Sequence, residues 1–188
     1  MNKLFKSWWV GVVLSLAVAH FAIPLAASEE DSPAATNPAG GKKPAAAAKP
    51  TVSGTFKGND KETKLAHVSA HWREPFGDKP SIMLVFTEKD HSKEQKPDFK
   101  ASFGDFGSAL VISLHEEDGR IFGCQVVHTA HEKQGFSSVG DINSKDFKFA
   151  DGQVTGEIMT DGEAEAFGQT WEVKIKFAAP LGAIPDEF

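Results

Sequence analysis

The residues best suited to chemistry in this chain are imidazoles. His67 and His71 lie four apart, so an extended strand places both on one face; His128 and His131 lie three apart, on opposite faces of any regular strand. Imidazole is the commonest metal ligand, and strand histidines serve as ligands in exported β-domains. His67, His71 and His128 are therefore the set that could hold copper or zinc. The plainer role for each is an exposed or hydrogen-bonded histidine, because spacing alone does not say which strands are neighbours.

Other chemical motifs fail on their spacing. Gly135-Phe-Ser-Ser-Val-Gly140 is not a nucleophile elbow, which needs Gly-x-Ser-x-Gly between a strand and a helix. His131-Glu132 lacks the second histidine of a zinc-protease helix. Asp141-x-Asn143-x-Lys145 puts a lysine at a calcium-ligand position, and Gly152 stands where a bidentate glutamate is required. Glu116-Glu117-Asp118 fits a solvated turn. Cys124 is the only cysteine, so no intramolecular disulfide forms, and its expected role is that of a small buried hydrophobe. No catalytic residue emerges, and no cofactor is implied.

The elements that must position these side chains have a period of two. Trp171, Val173, Ile175 and Phe177 alternate with Glu172, Lys174 and Lys176, which describes a strand with one face buried and one wet. Ala66, Val68, Ala70 and Trp72 alternate with Leu65, His67, Ser69 and His71. Phe122, Cys124, Val126 and His128 share the face of a further strand. Residues 80–87 and 108–114 are denser apolar runs, as central strands require. Asp118-Gly119, Asp151-Gly152, Asp161-Gly162 and Gly58-Asn59-Asp60 supply turns between the strands. About eight strands are expected, over 51–57, 64–73, 81–88, 108–116, 120–131, 145–150, 153–160 and 169–178. Pro97-Asp98 opens one turn of helix reaching Phe103. The expected fold is all-β, an antiparallel sandwich or a small barrel.

Trp72, Trp171 and the phenylalanines, in a chain with no tyrosine, invite comparison with a carbohydrate platform. Their places on the inward faces make them core residues first. Phe76-Gly77-Asp78 and Phe103-Gly104-Asp105 look alike, but their surroundings differ and no repeat follows.

The remaining segments concern location. Basic residues at Lys3 and Lys6, the apolar run Trp8–Ala19 and the small residues after Pro24 form the pattern of a signal peptide over 1–27, with cleavage expected near Ala26–Ser28. Residues 28–50 contain no aliphatic side chain larger than alanine, so they are expected to form a disordered linker to a domain at 51–181, followed by a tail at 182–188. Residues 51–188 carry 15 Lys and Arg against 23 Asp and Glu, which disfavours a nucleic-acid partner. No stable membrane span is expected once the leader is removed.

Val52-Ser-Gly-Thr-Phe-Lys-Gly58, Lys64-Leu-Ala-His-Val-Ser-Ala70, Met83-Leu-Val-Phe-Thr-Glu88 and Phe177-Ala-Ala-Pro-Leu181 together resemble small exported bacterial β-domain proteins of unassigned function. In these a glycine-led first strand precedes an LxHxxA strand, and an FxAP strand closes the domain. The resemblance implies a β fold and an exported, periplasmic or extracellular place, and it brings no activity or site residues. The functional expectation is a non-enzymatic binding or structural module whose partner is a protein or an envelope component. The alternative is a periplasmic copper- or zinc-binding protein using the strand histidines.

Overall fold

The computed structural model describes residues 49–132 and 135–181. The expected signal peptide, nearly all of the expected linker and the expected tail lie outside them. Eleven strands and one short helix make up the described chain: β1 (Thr51–Gly58), β2 (Lys61–Thr63), β3 (His67–Phe76), β4 (Lys79–Thr87), α1 (Pro97–Ser102), β5 (Ala109–His115), β6 (Ile121–Val127), β7 (Phe136–Ser137), β8 (Ile142–Ala150), β9 (Gln153–Thr160), β10 (Ala164–Ala166) and β11 (Gln169–Pro180). All pairings are antiparallel. One sheet has the order β2-β1-β11-β9-β8, with β10 also on β11; the other runs β3-β4-β5-β6-β7. The two sheets remain separate, so the barrel alternative does not hold: β3 and β7 are the open edges of the second sheet.

Alternation determines what lies between the sheets. Phe56, Trp171, Val173, Ile175 and Phe177 from the first sheet meet Val68, Ile82, Leu84, Phe86, Leu110, Ile112 and Val126 from the second in one apolar cluster. Phe86 and Phe177 touch edge to face across it, with ring centroids 5.4 Å apart. β11 is the centre of the first sheet, and its alternation of Trp, Val, Ile and Phe with charged residues appears directly as buried and wet faces. Asp151 and Gly152 both have positive φ, 51° and 73°, which is the twist a two-residue hairpin between β8 and β9 demands.

β4 and β5 are buried on both faces, which explains their unbroken apolar runs. The long connection between them folds back over the outer face of the second sheet. There Ala101 of α1 and Phe106 pack on Val85, Ala109, Val111 and Val127, forming a second, smaller core. Pro97 sits at the start of α1, where its missing N–H costs nothing.

Three expectations change at the level of register. Ala66 precedes β3 and is exposed, whereas Leu65 is buried, so the alternation begins only at His67. A bulge between Ser113 and Leu114 pairs Leu114 with Ile121, leaving Phe122 unpaired, and Phe122 stacks on Phe76 at 4.4 Å instead of sharing the Cys124 face. β6 ends at Val127, so His128 and His131 are not strand residues. The short strands β2, β7 and β10 lie in segments expected to be connections.

Trp171 is 1% exposed, in contact with both sheets' core residues, and Glu172 beside it is solvent-facing. Trp171→Ala should lower the unfolding free energy by about 3–5 kcal/mol. Glu172→Ala, which removes only an exposed pair with Lys57, should cost less than about 0.5 kcal/mol. Urea unfolding of both variants measures the contrast.

Candidate functional site

The odd-numbered residues of β3 face away from the main core, so His67, Ser69 and His71 stand in a row on the outer surface of the second sheet. β4 presents Thr87 on that face, directly opposite His67. The connection after β4 then brings Asp90 and His91 back onto the row. His91 is only 3% exposed and packs near Phe106 of the smaller core. A cleft of about 320 Å³ opens here at the edge of β3, lined among others by His67, Ser69, His71, Asp90 and His91.

Hydrogen bonds join these groups in one chain. His71 Nε2 and His91 Nε2 each lie 2.8 Å from Ser69 Oγ. His91 Nδ1 lies 2.6 Å from Thr87 Oγ1, which is itself 2.7 Å from the Lys89 carbonyl. A carbonyl only accepts, so the single Thr87 proton goes to Lys89, and His91 Nδ1–H must donate to Thr87. In a neutral His91 the Nε2 is then bare and accepts from Ser69, and the same hydroxyl accepts from His71 Nε2–H. Burial holds the His91 pKa below the ordinary imidazole value, with nearby His67 and His71 adding to this and Asp90 opposing it. Burial likewise lowers His71, with Asp98 opposing it. Both rings are therefore neutral at neutral pH, as the direction of the chain requires. Asp90 is held below its usual range first by the Ser92 backbone N–H, and its carboxylate lies 3.8 Å from His67 Nδ1.

His128 lies elsewhere. His67 aligns with Thr87, Ala109 and Val127 across β3, β4, β5 and β6, which separates His128 from His67 by three strand spacings, roughly 14 Å. The structure thus brings His67 and His71 to one cleft with His91, and leaves His128 apart from them. Among the described residues no group of three His, Cys, Asp or Glu side chains is arranged to hold a metal ion. His91 and Ser69 were not singled out by spacing. The one legible signal for Ser69 is its parity with His67 and His71; His91 sits in a connection without periodicity.

His128 instead closes the end of the main core. Its ring meets Phe56 edge to face at 5.0 Å, and the turn formed by His131 N–H to the His128 carbonyl brings the two imidazoles to 5.3 Å. Gly58 lies directly against both: a Cβ there would fall 2.5 Å from the His128 ring and 2.6 Å from His131 Nε2. His131 Nε2–H donates to the Thr170 carbonyl, tying this turn to β11. Cys124, buried in the same core, has its thiol pushed up to about 12 by desolvation, which makes it unreactive.

No protein-family model matches the chain, and neither do curated proteins or solved structures.

Burial, reinforced by the neighbouring His131, lowers the His128 pKa to about 4 from 6.5. A base whose folded value lies below its unfolded value favours the unfolded chain when protonated. The stability it contributes is complete above pH 6.5 and is lost as pH falls toward 4. The loss for this one group is on the order of 3 kcal/mol. Urea unfolding at pH 7, 5.5 and 4 should show the decline, and His128→Gln should make it shallower, the part that remains belonging to His71 and His91, which burial also holds low; an unchanged profile in the variant would assign the whole decline to other groups.

Proposed function

We propose that this chain is an exported β-domain that acts as a binding module of the cell envelope, taking its ligand in the cleft beside β3. The export part of the reading is supported by the order of basic, apolar and small residues over 1–27 and by the resemblance to exported β-domains. The observation that carries the binding part is the convergence of His71 and His91 on Ser69 in an open cleft. Elsewhere on the two sheets the inward faces are filled by side chains, so a ligand finds polar partners on the outer face. His67, His71 Nδ1 and the remaining lone pair of Ser69 Oγ offer hydrogen bonds, and the Asp90 carboxylate repels anions. The cleft suits an uncharged, polar ligand. Residues 28–50 would give the domain reach from wherever the leader delivers it.

The test is a titration of the full chain with uncharged polar fragments, followed through the imidazole carbon-bound protons by NMR. Binders should shift His67, His71 and His91 and leave His128 and His131 unmoved. Binders that perturb only the His128 region, or none at all, would contradict the reading. Zinc or copper retained at one ion per chain in untagged protein, and lost when His67 and His71 are both changed to alanine, would put the metal-binding alternative in its place.

A further inference from the structure

The hydrogen-bond chain in the cleft has the polarity of an activated hydroxyl. Ser69 Oγ–H points at the bare Nε2 of His91, 2.8 Å away, and the opposite nitrogen of that ring is held at 2.6 Å by Thr87. A nucleophile within hydrogen-bond reach of a base, with the base oriented by a third group, is the arrangement that general-base catalysis of acyl transfer needs. Here a threonine hydroxyl takes the orienting place usual for a carboxylate. His91 is almost fully buried and fixed by both nitrogens, whereas Ser69 is partly exposed in the cleft wall. His71 Nε2–H, also 2.8 Å from the serine oxygen, occupies one of its two lone pairs and leaves the other for attack.

We propose that Ser69 is a nucleophile toward small carboxylic esters, with His91 as its general base and Thr87 as the residue that positions His91. The proposal rests on the cleft being a ligand site, and adds that the ligand reacts there. As Ser69 Oγ bonds to the carbonyl carbon, its proton passes to His91 Nε2 and the carbonyl electron pair moves onto oxygen. Collapse of that intermediate breaks the bond to the alcohol oxygen, which takes the proton from His91 and leaves as the alcohol. Acyl-Ser69 remains. A water molecule then repeats the sequence, giving up a proton through His91 and releasing the carboxylic acid and free Ser69. The net change is ester plus water to acid plus alcohol, with no oxidant or metal needed.

The direct probe is a small alkyl fluorophosphonate, which bonds to an activated serine oxygen with loss of fluoride. The folded full chain should take up one adduct, mapped by peptide mass spectrometry to Ser69, at least about 100-fold faster than the urea-unfolded chain, and Ser69→Ala should take up none. His91→Gln should slow labelling by about 100-fold or more, the range of general-base catalysis. Thr87→Val should slow it and Thr87→Ser, which keeps the hydroxyl, should restore it. Circular dichroism identifies the variants that remain folded, and only those are compared. If wild-type protein gives no adduct on Ser69, or labels Ser69 at a rate that folded His91→Gln and Thr87→Val leave unchanged, the proposal is overturned. Fragments that bind the cleft while Ser69 stays unlabelled would overturn it and leave the binding reading standing. Ser69 labelling without any fragment binding would support it and count against the recognition of uncharged ligands.

Discussion

The organisation of the outer face depends on one buried hydroxyl. Thr87 is fully buried at the end of β4, and its oxygen joins the Lys89 carbonyl to the His91 ring. A buried imidazole without partners would cost on the order of 1–3 kcal/mol for each unsatisfied group. Thr87 satisfies one nitrogen and Ser69 the other, so His91 of the β4–β5 connection can be buried at little cost. The same two contacts set the tautomer of His91, the direction of the Ser69 hydroxyl and the donor at His71. Without Thr87 the ring could turn, and the cleft would have no fixed polarity.

That interaction exists only because the second sheet needs a cover. β4 and β5 carry apolar side chains on both faces, and one sheet of partners can bury only the inner set. Val85, Ala109 and Val111 therefore require Ala101 and Phe106 from the connection, and their burial gives that 88–108 segment a fixed path. Because the segment starts at Thr87 and must cross toward α1, it passes over the outer row of β3, and His91 meets Ser69. Packing of one small apolar cluster thus determines the geometry of a polar one. The end of the main core follows a similar logic: Gly58 leaves room for the His128 and His131 rings, and the absence of a side chain there lets His128 meet Phe56 edge to face and His131 lie beside it.

Much of this was legible in the sequence where period two runs uninterrupted. β11 could be read from Trp171 to Phe177, the β8–β9 hairpin from Asp151-Gly152, and α1 from Pro97-Asp98 to within a residue. The outward placement of His67, Ser69 and His71 followed from the inward Val68 and Ala70. Errors arose where hydrogen bonding between strands, which local pattern does not report, decides the outcome. The bulge beside Ser113 turned Phe122 outward, and the end of β6 at Val127 removed His128 and His131 from any strand parity. His91 was invisible for a related reason. Its partner Ser69 lies 22 residues away, and only the path of the covered connection makes them neighbours.

The central claim is that Thr87 fixes His91 with its proton on Nδ1 and its bare Nε2 turned to Ser69. Long-range nitrogen–proton correlation NMR of the imidazoles at neutral pH tests this most directly. The structure predicts that His91 shows the Nδ1–H tautomer, with a slowly exchanging ring proton that disappears in Thr87→Val and survives in Thr87→Ser. A His91 in the Nε2–H form, or one averaging between the two forms in the wild-type chain, would contradict it.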